Sequence, residues 1–505
     1  MGQFSRAKKA VDFPEGAQWL NVDAPISMED LQGRIVLLDF WTYCCINCMH
    51  VIPDLKRLEA KYPHLVVIGV HSAKFGNEKE VDNIRHAVLR YELEHPVLVD
   101  NDFALWSAYG IRAWPSFVLI DPAGNVAGRA SGEGPFAMFD DAIASLTEAF
   151  EDTIEREPFS VDLVRDRTPG TSLAYPGKIE ADTEGKRLFV SDSNHNRIIV
   201  FRPDGEITHV IGSGREGSAD GTFEKAEFFR PQGLAYDPRT DVLYVADTEN
   251  HLVRKADLEA GTVETVLGKG HQGGYASKGT GTDLALNSPW DVVILGDRLY
   301  IAMAGPHQLW RMDLSTREAR RYAGSGREDI TDGPRERASL AQPSGIDTDG
   351  ARIFFADSEV SAVRVVQDDQ VRTLVGKGLF DFGDVDGKLP MARFQHPLGV
   401  LHNEGVVLVA DTYNHKIKLI DLEIGSVHTL VGTGESGHSD GPGRKAQLSE
   451  PGDIALLDGN MNIADTNNHA IRIFEPASDH LYTIEFTNPE MLWPGPKDLH
   501  MPRSI

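Results

Sequence analysis

The chain has 505 residues, 41% of them hydrophobic and 25% charged, and its formal net charge is −26. This composition excludes a wholly disordered chain, a collagen and a bundle of membrane helices. An acidic surface repels phosphate groups, so we expect no nucleic-acid partner, and with no apolar run of 18 residues we expect no membrane partner. Because the first twenty residues contain no apolar signal segment, we expect a cytoplasmic protein.

Up to about residue 155 the sequence alternates between strand and helix patterns. Continuous apolar runs predict buried strands, and longer mixed stretches between them predict helices. Strands separated by helices of this length predict a mostly parallel α/β sheet, to which we assign residues 1–155. The predicted strands cover residues 34–41, 65–71, 96–100 and 117–120, and the predicted helices cover residues 45–62, 79–94 and 136–150.

After a charged linker over residues 156–170, the helical patterns stop and a repeat begins. In five of six repeats one strand ends in an aspartate, in the remaining repeat a methionine takes its place, and these positions recur every 54 to 56 residues. Units of this length with four short strands predict a six-bladed β-propeller over residues 171–487, followed by an extended tail over residues 488–505. The recurring positions are Asp192, Asp247, Met303, Asp357, Asp411 and Asp465.

A propeller must close into a ring, because an open one would leave unpaired edge strands. We expect either residues 159–166 or residues 481–486 to complete a blade built from both ends of the domain.

The recurring charged residues of the repeats have a structural interpretation. Identical placement in each repeat predicts that each aspartate makes the same hydrogen bond to nearby backbone, in preference to a ring of metal ligands around the channel. We expect a second recurring set to form salt bridges between blades, namely Arg254, Arg311, Arg364, Lys418 and Arg472.

All three cysteines of the chain, Cys44, Cys45 and Cys48, lie within five positions, so no long-range disulfide framework can form. They follow a predicted strand and open a predicted helix, where unpaired backbone N–H groups favour a thiolate. Cys48 lies one turn from Cys45, within reach of a disulfide, which is typical of a redox motif. A zinc site of these thiols with His50 is the weaker interpretation, because all four residues crowd one helix end.

The surroundings of these cysteines resemble those of thioredoxins, in the TlpA-type subfamily. Asp39 lies six residues before Cys45, and Pro53 lies five residues after Cys48. Pro115 stands in a segment that is similar to the one holding the cis-proline of thioredoxins. The resemblance implies that Cys45 attacks a substrate disulfide, that Cys48 resolves the mixed disulfide and that Asp39 handles the proton of Cys48. Candidate accessory residues are Tyr43, Cys44 and Trp114, and no cofactor or metal is expected.

The repeats resemble the NHL family, since Asn250, His251 and Leu252 reproduce the triplet that names it. A thioredoxin-like domain before such repeats resembles the family of NHL repeat-containing protein 2. The resemblance implies a thiol–disulfide oxidoreductase whose propeller recognises a protein substrate or partner. Two alternatives stay open: a scaffold whose thioredoxin-like domain is redox-idle, and a propeller hydrolase or lyase with a metal in its channel.

Overall fold

A computed structural model of the protein describes residues 8–134, 136–274 and 276–492. The chain divides into two compact units, and the boundary lies between Pro169 and Gly170. The predicted fold class is confirmed, because an α/β thioredoxin-like unit precedes an all-β unit of six blades. No helix within the described residues has the length and apolar character needed to cross a membrane.

The first unit contains one six-stranded sheet in the order β1-β4-β3-β2-β5-β6. Its β2–β3 and β3–β4 pairs are parallel, and the other three pairs are antiparallel. The prediction of a mostly parallel sheet is therefore wrong, since β5 enters the sheet in the opposite direction and a hairpin returns β6 beside it. The elements are β1 (Trp19–Leu20), β2 (Ile35–Trp41), α1 (Ile46–Lys61), β3 (Leu65–His71), α2 (Val81–Arg90), β4 (Val97–Val99), α3 (Ala104–Tyr109), β5 (Ser116–Ile120), β6 (Val126–Ser131) and α4 (Phe136–Ala149).

The central strands β2 and β3 are buried along their whole length. On one face of the sheet, Val51 and Leu55 of α1 and Phe139 of α4 form a core with the strands. On the other face, Phe40 and Tyr109 belong to a second core. This burial explains why β2 and β3 read as continuous apolar runs and not as an alternating pattern. Asp39 is the one carboxylate in the buried strand β2.

The second unit contains six antiparallel sheets, each built from four strands that are consecutive in sequence. Blades two to six gain a short fifth strand at their outer edge, from the loop that precedes the blade. The four main strands are, in blade order, Pro176–Asp182, Arg187–Asp192, Arg197–Phe201 and Ile207–Ile211; Pro231–Asp237, Val242–Asp247, Leu252–Asp257 and Thr262–Leu267; Pro289–Leu295, Arg298–Met303, Gln308–Asp313 and Glu318–Ala323; Pro343–Thr348, Ile353–Asp357, Ala362–Gln367 and Gln370–Val375; Gly399–Asn403, Val406–Asp411, Lys416–Asp421 and Ser426–Val431; Pro451–Leu457, Asn460–Asp465, Ala470–Glu475 and His480–Thr483. The short edge strands are Gly221–Thr222, Lys278–Thr280, Gly333–Pro334, Gly387–Lys388 and Gly441–Pro442.

The predicted composite blade is wrong. Residues 159–166 belong to the first unit, where the Val164 backbone N–H donates to Asn21 Oδ1 at 2.8 Å. Residues 480–483 form the outer strand of blade six with neighbours from the same stretch of chain. The chain then reaches blade one, where the Thr487 N–H donates to the Gly205 carbonyl at 3.0 Å.

The segment after blade six was predicted to be an extended tail from residue 488 onward. Pro489–Leu492 instead forms a short 3-10 turn, and Leu492 is buried in a core that includes Ile207 of blade one. This packing covers an outer edge that blade one's own strands leave open. The rest of the predicted tail, residues 493–505, lies outside the described residues.

A hydrogen bond from a side-chain hydroxyl to a backbone carbonyl joins neighbouring blades at five of the six joins. The hydroxyl of the residue after the recurring aspartate donates to the carbonyl of the proline that begins the next blade, at 2.7–2.9 Å. The same contact closes the ring from blade six to blade one. The five pairs are Ser193 with Pro231, Thr248 with Pro289, Ser358 with Pro397, Thr412 with Pro451, and Thr466 with Pro176.

The recurring aspartates make the hydrogen bond that was predicted. In five blades the carboxylate accepts the N–H of a residue 16 to 18 positions upstream, at 2.6–2.8 Å. In blade two, for example, Asp247 Oδ1 accepts from the Phe229 N–H at 2.8 Å. Each carboxylate therefore ties an upstream loop to the blade.

The predicted salt bridges between blades are wrong, because the ion pairs lie inside single blades. Arg254 contacts Asp247 and Asp220, both at 2.8 Å and both within blade two. Arg364, Lys418 and Arg472 repeat this arrangement in blades four, five and six.

Blade three departs from the pattern and does not use Arg311. Strand register places Trp310 opposite Ile301, at the position that arginine or lysine occupies in blades two, four, five and six. Met303 stands where those blades have aspartate, and both Met303 and Trp310 are buried. An apolar pair thus replaces the buried ion pair, an exchange that protein cores tolerate.

Candidate functional site

The site is built where β2 ends and α1 begins. Cys45 is the N-cap residue of α1 and is half-buried, and Cys48 is buried one turn further on. The Cys48 N–H donates to the Cys45 carbonyl at 3.0 Å, which holds the two residues on the same first turn of the helix. The structure therefore brings together the two thiols that the sequence motif singled out, with Cys45 the more accessible of the pair.

The buried thiol holds its proton tightly. Burial, the neighbouring Cys45 thiol and the charge of Asp39 together raise the pKa of the Cys48 thiol well above its usual range. Since a thiolate is the attacking form of cysteine, Cys48 needs a nearby base before it can act as a nucleophile.

Asp39 is placed to be that base. It lies within β2, pairs in register with Gly69 of β3, and is only 5% exposed. Its Oδ1 is buried with no hydrogen-bond partner. Burial raises the pKa of Asp39 to about 7, while the charge of His95 lowers it and that of Glu59 raises it. A carboxyl group that titrates near neutrality can both accept and release a proton at physiological pH.

Pro115 lies at the same end of the sheet. The Trp114–Pro115 peptide bond is cis, and the following residue, Ser116, pairs with Phe40 near the end of β2. Trp114 packs on Trp106 with ring centroids 4.5 Å apart. Arg112 and Ala113 are exposed, so the backbone leading to Pro115 is accessible to an incoming chain.

Two of the accessory candidates, Tyr43 and Cys44, are buried. Tyr43 stacks on His71 at a centroid distance of 5.6 Å, and its hydroxyl accepts a hydrogen bond from Asn77. Cys44 is 3% exposed, so its thiol is not a surface nucleophile.

Glu78 organises this loop, and sequence reasoning missed it. Its fully buried carboxylate accepts hydrogen bonds from the Thr42 hydroxyl and the Cys44 N–H on one side, and from the N–H groups of Lys74 and Phe75 on the other. The glutamate thus joins the cysteine loop to the loop after β3. No spacing or repeat in the sequence marks it, because its partners are brought together only by the fold.

The described residues contain no group of three or more His, Cys, Asp or Glu side chains arranged to hold a metal ion. His50 Nδ1 lies 2.8 Å from Glu133 Oε1. In the propeller, Lys178 is 1% exposed and its ammonium lies 3.2 Å from Asp291 and 3.8 Å from Asp453. Asp291 and Asp453, on the first strands of blades three and six, are therefore paired with a cation that belongs to the protein.

Comparison with known proteins agrees with both units. A thioredoxin-like family model matches residues 33–126, and an NHL repeat model matches residues 228–256. The chain is 41% identical to NHL repeat-containing protein 2 of Gallus gallus, over 94% of this chain and 71% of that protein.

Two further relatives broaden the comparison. The chain is 44% identical to Protein SUPPRESSOR OF QUENCHING 1, chloroplastic, of Arabidopsis thaliana, over 92% of this chain, and it spans only 46% of that protein. It is also 31% identical to Thiol-disulfide oxidoreductase ResA of Halalkalibacterium halodurans, over 20% of this chain and 56% of that protein.

Proposed function

This chain belongs to the family of NHL repeat-containing protein 2, and from that premise we propose that it is a thiol–disulfide oxidoreductase of thioredoxin type. One observation carries the proposal: Cys45 caps α1, Cys48 lies one turn further on with its N–H bonded to the Cys45 carbonyl, and a base with a pKa of about 7 is buried in the strand that precedes them. The relative named as a thiol-disulfide oxidoreductase supports the same chemistry.

In the proposed reaction, the Cys45 thiolate attacks one sulfur of a substrate disulfide. A Cys45–substrate bond forms, the substrate S–S bond breaks, and the other substrate sulfur leaves as a thiolate. Cys48 then gives its proton to Asp39 and attacks Cys45 Sγ. The mixed disulfide breaks, the second substrate sulfur is released, and a Cys45–Cys48 disulfide remains. The substrate gains two electrons and the cysteine pair loses two.

The substrate in this proposal is a protein that the propeller recognises. Propellers bind through loops that converge on one face, and the six-bladed ring offers such a surface. The net charge of −26 argues against nucleic acid or an anionic membrane as the partner. We place the protein in the cytoplasm, where thiols are kept reduced, since its three cysteines all lie within five positions and can form no long-range disulfide framework.

Trapping of the mixed disulfide tests the proposal. In a Cys48→Ser variant the intermediate cannot be resolved, so Cys45 should stay covalently bound to a disulfide-containing peptide and be released by dithiothreitol. A Cys45→Ser, Cys48→Ser double variant is the matched control and should form no adduct. If the Cys48→Ser variant forms none either, the enzymatic proposal fails and the alternative of a scaffold with a redox-idle first unit takes its place.

A further inference from the structure

The proton that Asp39 accepts must leave a buried site, and the first unit contains a second buried titratable pair beside it. His95 is 3% exposed, and its Nδ1 lies 3.4 Å from a carboxylate oxygen of Glu59 on α1. The Glu59 side chain is 24% exposed, so it reaches solvent. The His95–Glu59 pair therefore extends from the protein interior to its surface.

The other ring nitrogen of His95 points toward the Asp39 side of the sheet. A Cβ on Gly69 would lie 3.4 Å from His95 Nε2 and 2.9 Å from Trp41 Nε1. Gly69 is the register partner of Asp39, and adjacent strands lie about 4.8 Å apart. The glycine thus leaves room for both rings over β3, next to the carboxyl group.

Three buried polar atoms around Gly69 have no hydrogen-bond partner: Asp39 Oδ1, Trp41 Nε1 and His95 Nε2. A buried polar atom without a partner destabilises the folded state, so such atoms usually serve a purpose or bind an internal water. Trp41 can only donate, whereas Asp39 and His95 can each accept and donate in different protonation states.

We propose that His95 and Glu59 form a proton relay that connects Asp39, and through it Cys48, to solvent. The inference rests on the proposed function, because it assigns roles within the same thiol chemistry. When Cys48 attacks Cys45, its proton passes to Asp39, then to His95 Nε2 through one bridging water, while His95 Nδ1 releases a proton toward Glu59. His95 and Glu59 act through Asp39 and are positioning residues, since neither touches the reacting sulfurs.

The charges around the relay suit proton exchange near neutral pH. Burial lowers the pKa of His95, but the charges of Glu59 and Asp39 more than offset this and raise it, and Lys56 of α1 opposes them. Asp39 faces His95, Glu59 and Cys48. Because the His95 charge lowers the pKa of Asp39, loss of His95 should leave Asp39 protonated up to a higher pH.

Stopped-flow reaction with Ellman's disulfide separates the two thiol steps. In a Cys44→Ser background, attack by Cys45 releases a first thionitrobenzoate, and resolution by Cys48 releases a second. We expect His95→Gln to slow the second phase by about tenfold at pH 7, less than the roughly 10²- to 10⁴-fold that a directly acting general acid or base contributes, because His95 acts through Asp39. The pH dependence of the second-phase rate should shift to higher pH, while the rate of the first phase should stay unchanged.

Two variants make this test specific. Glu59→Gln keeps the hydrogen bond but removes the charge at a partly exposed position, and it should slow the second phase by a smaller factor. His64→Gln is the matched control, because His64 contacts Thr147 at 2.9 Å and not the relay. If both relay variants keep the wild-type rate and pH profile of the second phase, the relay is overturned. If the wild type shows no first phase, the proposed function itself has failed.

Discussion

Replacing Asp39 with asparagine should stabilise the first unit, and should do so more at high pH than at low pH. The carboxyl group is 5% exposed, and burial raises its pKa to about 7. In the unfolded chain an aspartate has a pKa of about 3.9. Between these two values the folded protein holds a proton that the unfolded chain has lost, so stability falls as the pH rises through this window.

The magnitude follows from the two pKa values. Keeping Asp39 in the folded state costs about 1 kcal/mol at pH 4.5 and about 4 kcal/mol at pH 8. An asparagine amide does not ionise, so the variant escapes this cost. The buried amide also lacks a complete set of hydrogen-bond partners, but the free-energy cost of this is the same at both pH values. The stabilisation should therefore be about 3 kcal/mol larger at pH 8 than at pH 4.5.

Urea unfolding followed by pulsed hydrogen exchange and mass spectrometry measures this quantity. Peptides covering Ile35–Trp41 and Leu65–His71 report on the first unit separately from the propeller. Asp121→Asn is the matched control, because the carboxylate of Asp121 accepts hydrogen bonds from the N–H groups of Ala123 and Asn125. That variant should lose stability at both pH values. An Asp39→Asn effect that is the same at pH 4.5 and pH 8 would refute the reasoning.

Three other substitutions test the remaining structural arguments. Arg254→Leu should lower the stability of the propeller by about 3–5 kcal/mol, because Asp247 is left as a buried charge, and the double variant with Asp247→Met should recover most of the loss in calorimetry. Lys178→Met should destabilise the propeller more at pH 8 than at pH 5, since burial raises the pKa of Asp453 to about 7 and protonation removes its charge; equal melting shifts at both pH values would contradict this. Glu78→Gln should cost about 1–3 kcal/mol and speed alkylation of Cys44, which mass spectrometry detects; a thiol that stays protected would show that the loop does not depend on the carboxylate.

The first unit shows which structural features can be predicted from the hydrophobic pattern and which cannot. The predicted strand over residues 65–71 agrees with β3, and the predicted helix over residues 45–62 exceeds α1 by one residue at each end. Burial determines these patterns directly. Strand direction has no counterpart in the hydrophobic pattern, which is why the sheet was expected to be mostly parallel. The six-residue helix α3 was missed, because it is too short to show helical periodicity.

The candidate site likewise contains residues that local sequence spacing can locate and residues that it cannot. Asp39, Cys45 and Cys48 could be located from local spacing, since they lie on one strand and the helix that follows it. His95 and Glu59 could not, because the contact between them joins residues 36 positions apart. The replacement of the arginine by Trp310 could have been predicted from the spacing. In blades two, four, five and six the arginine or lysine lies seven residues after the aspartate. The residue seven positions after Met303 is Trp310, not Arg311.

Ala304 has a mechanical consequence for the ring. It stands after Met303, where the other five blades carry serine or threonine, and alanine has no hydroxyl to donate to Pro343 at the start of blade four. The hydroxyl-to-carbonyl hydrogen bond is present between blades six and one, where the ring closes, so that join is not the weakest one in the ring. Under pulling force or in denaturant, rupture should begin between the third and fourth blades, on the far side of the ring from the join between blades six and one.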